Sequence, residues 1–196
     1  VMLREAGWQL NNLEDTEFEV SGMPSKTSVG YVDYVLWGDD GLPLAVVEAK
    51  NTLHDSRQGQ HQAKLYADCL QNRFGRRPII FYSNGYDTWI WDDSLYPPRK
   101  VSGFYTKDEL EWAISKRQSK SLSDVQINKD IAGRYYQEEA LKRVAEMFDA
   151  RYRKALLVMA TGTGKTRTAI AFTEMMMKQG WARRILFLAD RNALVI

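Results

Sequence analysis

The sequence predicts an α/β protein in two parts, a mixed-sheet domain followed by the first part of a parallel-sheet domain. Segments 29–37 and 42–50 are rich in β-branched and aromatic residues and flank a short polar turn, which is typical of a β-hairpin. Between residues 155 and 189 an apolar segment, a glycine-rich loop, a helical segment and a second apolar segment follow one another. That order is typical of a βαβ unit with parallel strands. Residues 1–115 hold 11 Lys and Arg against 17 Asp and Glu, whereas residues 116–196 hold 16 against 8, so the sign of the net charge differs between the parts.

The composition excludes several classes of protein. Hydrophobic residues make up 44% of the 196 residues and charged residues 27%, which is too apolar for a disordered chain. No apolar run reaches the ~18 residues that a membrane span needs. One cysteine and two histidines exclude a disulfide framework and a cysteine-rich zinc site. We therefore expect a cytoplasmic protein without membrane contact, and the basic half predicts a polyanionic partner such as DNA or a nucleotide.

After the hairpin, the first domain is predicted to contain a helix, two strands and a second helix. Asp55 is placed to cap the first helix. Asn84 and Gly85 supply the turn between the strands. Thr106 and Glu109 have the spacing of a capping box, which opens the second helix. The predicted bounds of these elements are 56–72, 78–82, 88–91 and 106–116.

The polar segment 117–133 is predicted to be a linker, because it contains three serines and a glycine and lacks periodicity. It separates a domain at 1–116 from a domain at 134–196. The elements predicted in the second domain are a helix at 136–150, a strand at 155–159, a helix at 165–179 and a strand at 184–189.

Ionisable side chains share one face of the predicted hairpin. Side chains alternate along a strand, so Asp33 on one strand faces the same way as Glu48 and Lys50 on the other. A turn centred between residues 39 and 40 places Asp33 opposite Val46, with Glu48 as its diagonal neighbour. Two carboxylates among valines repel each other and are poorly solvated, and a divalent cation such as Mg²⁺ offsets both effects. A surface hairpin with a charged face is the alternative interpretation.

The helix after the hairpin adds polar groups to this patch. Gln62 and Tyr66 are four residues apart and share a helix face, and Gln58 lies one turn earlier on that face. An amide and a phenol directed at the hairpin can hydrogen-bond phosphate. An exposed amide beside a half-buried ring is the alternative.

This pattern resembles the PD-(D/E)xK nuclease core in its RecB-like branch, with Val32 at the position of the proline that names the motif. The resemblance implies DNA cleavage with Mg²⁺ held by the two carboxylates. Glu5 is a candidate for an acidic residue that this core commonly carries on a preceding helix. The implied catalytic residues are Asp33, Glu48, Lys50, Gln62 and Tyr66, of which Asp33 and Glu48 are the metal ligands.

The second candidate site in the sequence is a phosphate-binding loop. Residues 160–166 read Ala-Thr-Gly-Thr-Gly-Lys-Thr between the apolar segment and the helix, and such glycines let backbone N–H groups approach phosphate oxygens. Lys165 is expected to bind the β- and γ-phosphates of ATP, and Thr166 its Mg²⁺. Met159 stands where the strict motif has glycine, so the match is to the looser helicase form. The other predicted cradle residues are Thr161, Gly162, Thr163 and Gly164.

Two further segments resemble superfamily 2 helicases. In that family a glutamine in a place similar to Gln137, in the run Arg-Tyr-Tyr-Gln at 134–137, reads adenine because an amide donates and accepts at once. A solvent-exposed glutamine at a helix start is the alternative. Arg191, after the last predicted strand, is a candidate DNA-phosphate contact.

The order of nuclease, linker and motor resembles the restriction (R) subunit of type I restriction–modification enzymes. The resemblance implies an endonuclease that translocates double-stranded DNA with ATP and works with modification (M) and specificity (S) subunits. Because the sequence begins without Met and ends in an unfinished pattern, we expect a piece of a longer protein that does not hydrolyse ATP alone. A repair helicase–nuclease, another DNA-dependent ATPase and a non-catalytic DNA-binding module remain alternatives. The recognised DNA sequence, the number of nuclease metals and the stoichiometry are left open.

Overall fold

The computed structural model describes residues 2–10, 15–24, 28–50 and 58–188. The chain divides into two compact units, one ending at Arg117 and the other beginning at Gln118. No helix among the described residues is long and apolar enough to cross a membrane.

The first unit is built on a mixed sheet of six strands in the order β1-β2-β3-β4-β5-β6. Neighbouring strands are antiparallel except β3 and β4, which are parallel and are joined by the crossover helix α2. The strands are β1 Thr16–Ser21, β2 Val29–Trp37, β3 Pro43–Ala49, β4 Ile79–Ser83, β5 Thr88–Trp91 and β6 Arg99–Val101. The helices are α1 Met2–Glu5, α2 Gln58–Phe74 and α3 Lys107–Ser115, followed by a 3₁₀ turn at Lys116–Gln118.

Helices cover both faces of the sheet. On one face α2 packs on apolar side chains that include Val35, Val46 and Ile80. On the other face α3 packs through Leu110, together with residues near the start of the chain. Strand β3 is buried along its length from Pro43 to Glu48, which is typical of a central strand in a parallel pair. Full burial of each such aliphatic side chain contributes about 1.5–3 kcal/mol.

The predicted β2–β3 hairpin is confirmed, but its register is not. Val35 pairs with Val46, so the predicted pairing of Asp33 with Val46 is wrong by two residues. The N–H of Gly38 donates to the carbonyl of Leu42 at 2.9 Å, which closes a loop of odd length, and an irregularity within β2 adds a further shift. A shift of two leaves every side chain on its predicted face, because side chains alternate with a period of two.

The other predicted elements of this unit agree with the structure within about two residues. The capping box of α3 is present: the N–H of Thr106 donates to Glu109 Oε2 at 2.9 Å, and the N–H of Glu109 donates to Thr106 Oγ1 at 3.4 Å. Asp55, the predicted cap of α2, lies outside the described residues. Strands β1 and β6 and helix α1, which are short elements at the edges of the sheet or beside it, were not predicted from the sequence.

The second unit is helical over its described residues. Helices α4 (Tyr135–Asp149) and α5 (Lys165–Lys178) share a core that includes Leu141, Met175 and Trp181. Leu122 and Ala132, both from the segment interpreted as a linker, are fully buried in the same core.

The predicted strands at 155–159 and 184–189 are wrong over the residues that the structure describes. Residues 154–160 and 185–188 form no ladder, so the predicted parallel βαβ unit is not formed there. Apolar and β-branched residues favour an extended backbone, but a strand also needs a hydrogen-bonded neighbour. Instead, four apolar side chains are each more than four-fifths exposed: Leu156, Val158, Leu186 and Leu188.

A buried ion pair links the residues just before β4 to the residues just after β5. Arg77 is only 9% exposed, and its guanidinium donates two hydrogen bonds to the Asp93 carboxylate. Arg117 in turn donates to the carbonyl of Arg77 at 2.5 Å.

The Arg77→Ala change removes the guanidinium partner of the Asp93 carboxylate, whose side chain is only 11% exposed in the folded protein. We expect a loss of about 3–5 kcal/mol in the free energy of unfolding, measured by urea titration with tryptophan fluorescence. Lys100→Ala, which breaks an exposed pair, is the control and is expected to lose less than about 1 kcal/mol. Equal losses in the two variants would contradict the prediction.

Candidate active site

Asp33 and Glu48 become neighbours where β2 and β3 pair. Tyr34 pairs with Val47, and continuing this register by one residue places Asp33 beside Glu48, closer than the predicted diagonal. The N–H of Ala49 donates to Asp33 Oδ2 at 2.6 Å, which fixes the carboxylate against the end of β3. The two predicted metal ligands therefore lie on one face of the sheet.

A chain of hydrogen bonds joins the other three residues of the implied nuclease site. Lys50 Nζ donates to Glu48 Oε1 at 2.5 Å and to Gln62 Oε1 at 2.9 Å. Gln62 Nε2 donates to Tyr66 Oη at 2.6 Å. The structure thus brings all five predicted side chains together, three from the hairpin and two from α2.

Burial raises the pKa of the Glu48 carboxyl group. The residue is 2% exposed, and this burial raises the pKa of its carboxyl above the ordinary value. The hydrogen bond from Lys50 acts in the opposite direction, and the negative charge of Asp33 raises the pKa further. Glu48 Oε2 is buried and has no hydrogen-bond partner among the described residues.

Tyr66 is held as a neutral phenol. Its ring is 3% exposed, and burial is the largest cause of a raised pKa of its hydroxyl. The bond from Gln62 lowers that pKa, while the carboxylates of Glu48 and Asp33 raise it. A neutral Tyr66 keeps its O–H as a hydrogen-bond donor.

The carboxylates fit a Mg²⁺ ion that keeps most of its water. Glu48 Oε2 is an oxygen without a partner among the described residues, and Mg²⁺ is commonly bound by one or two carboxylates together with waters and phosphate oxygens. Among the residues that the structure describes, no three His, Cys, Asp or Glu side chains converge on one point. Glu5 is exposed on α1, and that helix packs through Leu3 with the core on the other face of the sheet. The side chain of Gln58 lies outside the description.

Sequence reasoning missed Tyr82, which lies next to Glu48 on the parallel strand β4. Its ring stacks on Trp89 at 6.0 Å between centroids, and its hydroxyl donates to Gln60 Oε1 at 3.4 Å. Tyr82 therefore closes the side of the site toward β5. Only the β3–β4 pairing reveals this neighbour, and the local sequence gives no signal for it.

In the second unit, α4 holds the glycine-rich loop. The carbonyl of Thr163 accepts hydrogen bonds from Tyr136 Oη at 3.1 Å and from Gln137 Nε2 at 2.9 Å. Gln137 Oε1 also accepts from the N–H of Arg134 at 3.3 Å. Gln137 is 2% exposed, so the structure places it against the loop rather than in solvent.

Two glycines of the loop adopt backbone conformations that favour glycine. Gly162 and Gly164 have φ of +80° and +84°, a region that favours glycine, and Gly164 directly precedes α5. Lys165 is exposed, and its Nζ lies 3.4 Å from the carbonyls of Met159 and Ala160. Thr161 lies in the turn that leads to the two glycines, and Thr166 is in the first turn of α5. Arg191 lies outside the described residues.

Comparison with known proteins gives two family matches in tandem. Residues 16–99 match a family described as type I restriction enzyme R protein N terminus. Residues 130–196 match a family described as type III restriction enzyme, res subunit.

Two curated relatives come from Escherichia coli. The type I restriction enzyme EcoAI endonuclease subunit is 34% identical over 97% of this chain and 26% of its own length. The type I restriction enzyme EcoKI endonuclease subunit of strain K12 is 27% identical over 98% of this chain and 22% of its own length. The chain therefore spans about a quarter of the length of these relatives. A solved fragment described as an HsdR subunit of a type I restriction enzyme from Vibrio vulnificus YJ016 is 27% identical, with a TM-score of 0.45, over 93% of this chain and 37% of that one.

The raised pKa of Glu48 predicts a pH-dependent cost to stability. The folded chain holds this proton more tightly than the unfolded chain, so Glu48 favours folding below its unfolded pKa of about 4.3. That contribution is lost as the pH rises through the folded pKa. Glu48→Gln removes the titration and is expected to stabilise the chain near neutral pH.

Thermal unfolding of the Glu48→Gln chain, followed by circular dichroism from about pH 3.5 to 8, measures this difference. The gain is expected to vanish at the acid end, where both side chains are neutral. Glu111→Gln, at an exposed position on α3, is the control and is expected to change nothing. A gain that persists unchanged at the acid end would contradict the assignment.

Proposed function

Because the chain belongs to the type I restriction enzyme R protein family, we propose that its first unit cleaves DNA with Mg²⁺ and that its second unit binds ATP. The family membership confirms the resemblance that the motifs predict. The hydrogen-bonded chain from Glu48 through Lys50 and Gln62 to Tyr66 is the observation that carries the nuclease proposal. A surface hairpin with only solvent-exposed charges would not bury Glu48 or connect it to two polar groups of a helix.

In this proposal Asp33 and Glu48 hold the ion. Mg²⁺ bound there supplies a lowered pKa for water and stabilises the negative charge that develops on the phosphate. The bond from Ala49 fixes Asp33, and burial between β3 and α2 fixes Glu48. The two carboxylates therefore bind the cation without a large rearrangement of the hairpin.

Lys50 neutralises the scissile phosphate. An ammonium has three N–H donors, and two of them bond to Glu48 and Gln62. The third can turn toward a phosphate oxygen or the attacking water. A cation aimed at developing charge in a site with little water is among the larger contributions to catalysis.

Gln62 and Tyr66 complete the phosphate-binding face. The amide orientation of Gln62 is set because its oxygen accepts from Lys50 and its nitrogen donates to Tyr66. The phenol oxygen of Tyr66 thus accepts one bond, and its own proton is available for a phosphate oxygen. Both residues position DNA in this proposal, and neither exchanges a proton with it.

The second unit binds ATP in the same proposal. Lys165 exchanges its long contacts with two loop carbonyls for the β- and γ-phosphates, and Thr166 contributes a hydroxyl to the Mg²⁺ that accompanies the nucleotide. Gln137 holds the loop, and it would read adenine only by exchanging its bonds to Thr163 and Arg134 for bonds to the base. In the complete enzyme we propose that this nucleotide drives translocation of double-stranded DNA and that modification and specificity subunits are its partners.

The nuclease assignment predicts a separation of two activities. In the complete restriction enzyme, Glu48→Ala is expected to reduce DNA cleavage by roughly 10³-fold, because the cation loses a ligand and Lys50 loses its partner. ATP hydrolysis is expected to stay within about twofold of wild type, since the phosphate loop is untouched. Supercoiled-plasmid cleavage and phosphate release measure the two activities, and Glu111→Ala serves as control. Cleavage at the wild-type rate would overturn the site assignment, and wild type that never cleaves would favour a binding module.

The phosphate loop predicts a different loss. Lys165→Ala is expected to reduce ATP hydrolysis by the complete enzyme by roughly 10²-fold or more, because the phosphates lose their main cation. Binding of Mn²⁺ to the first unit, measured by calorimetry, is expected not to change. Lys178→Ala, at the other end of α5 in an exposed pair with Glu174, is the control. Hydrolysis at the wild-type rate in the Lys165 variant would exclude this loop as the ATP site.

A further inference from the structure

Two glycines lie where α2 packs against the hairpin. Gly59 is the second residue of α2, and a Cβ built on it would lie 3.0 Å from Glu48 Cγ and 3.5 Å from Lys50 Cγ. Gly30 is in β2, and a Cβ there would lie 2.8 Å from Tyr66 Cε1. Each glycine thus touches a different part of the same hydrogen-bonded chain.

Neither glycine is favoured by its own secondary structure. Glycine in a helix costs backbone entropy relative to alanine, and glycine within a strand weakens the strand. Neither residue adopts a positive φ that would require glycine. Close approach to the site side chains is therefore the physical reason for glycine at both positions.

The side chains that face these glycines have little room to move. Glu48 is 2% exposed and bound to Lys50, so a methyl group at Gly59 displaces either the carboxylate or the start of α2. Tyr66 is 3% exposed, so a methyl group at Gly30 displaces its ring, or the adjacent side chain of Met23, within the core. Shifts of a few tenths of an ångström matter here, because functional geometry must be held to about 0.5 Å.

We propose that Gly59 and Gly30 are positioning residues of the nuclease site, which set the separation between α2 and the hairpin so that Lys50 bridges Glu48 and Gln62. This inference rests on the proposed nuclease function and adds to it the feature that aligns the site. Gly59 acts on the end of the chain that would bind the cation, and Gly30 acts on Tyr66 at the end that would bind phosphate.

The test is Gly59→Ala, because its effects on stability and on activity are expected to have opposite signs. Alanine favours the helix, so the thermal unfolding midpoint of the 196-residue chain is expected to stay constant or rise. The affinity of that chain for Mn²⁺, measured by calorimetry, is expected to fall about fivefold or more because Glu48 moves. In the complete enzyme, kcat for DNA cleavage is expected to fall about 10- to 100-fold. The KM for DNA and the rate of ATP hydrolysis are both expected to stay unchanged.

Two further variants keep the outcome interpretable. Gly30→Ala is expected to lower kcat for cleavage to a similar extent while Mn²⁺ binding stays near wild type, since it displaces Tyr66 and leaves the carboxylates in place. Gly103→Ala is the matched control, because a Cβ at Gly103 meets nothing within 4 Å and its φ is not positive. That variant is expected to match wild type in every measurement.

The possible results separate the inference from the proposed function. If wild type binds Mn²⁺ and cleaves DNA, and Gly59→Ala and Gly30→Ala do the same with unchanged affinity and kcat, the inference is overturned and the nuclease assignment stands. It is also overturned if Gly59→Ala lowers the unfolding midpoint in step with activity, which would indicate a structural role only. If wild type neither binds Mn²⁺ nor cleaves, the proposed function fails, and the inference fails with it.

Discussion

The first unit is organised around one buried carboxylate, Glu48, at the end of a central strand. An ionised group that is 2% exposed is tolerated only with hydrogen-bonding or charged partners. Lys50 supplies a partner for one oxygen, and Gln62 holds the ammonium in place. The second oxygen has no partner among the described residues, and this is the deficit that a cation would fill. The hairpin places Asp33 beside this group, and α2 places Gln62 within reach of its lysine partner.

The topology explains why the polar residues gather at that position. Strand β3 is covered on both faces and runs parallel to β4, so the crossover helix α2 must return over the sheet and pass the carboxyl end of β3. The N–H of Lys50 still donates to the carbonyl of Ser83 at 2.7 Å, so the lysine is placed by the sheet itself. Ligand sites of α/β sheets commonly lie beyond the carboxyl ends of strands, and here Glu48 and Lys50 lie on either side of that end.

The alternation of side chains along strands and their spacing along helices were sufficient to predict which side chains share a face. The common face of Asp33 and Glu48 depends only on a period of two, and it survived an error of two residues in the register. Helical spacing predicted that Gln62 and Tyr66 share a face, but it left open whether that face meets the hairpin, and the structure shows that it does. The register itself depends on the length of the loop and an irregularity in β2, which local composition does not encode. The apolar segment at 154–160 shows what composition does not determine. A strand forms only where a neighbouring strand can pair with it, and local composition does not reveal whether such a neighbour is present.

Several unfavourable local features of the first unit lie at one place, and they support the proposed site independently of family resemblance. A carboxylate with a raised pKa, a buried oxygen without a described partner, a glycine in a helix and a glycine in a strand all lie within contact of the same hydrogen-bonded chain. Each feature is unfavourable by local preference: burial opposes the charged carboxylate, and helices and strands disfavour glycine. Proteins commonly depart from local structural preference at functional sites. The cluster at the end of β3 therefore supports the proposal of a reaction site at Glu48, and the rest of the sheet holds its side chains in place.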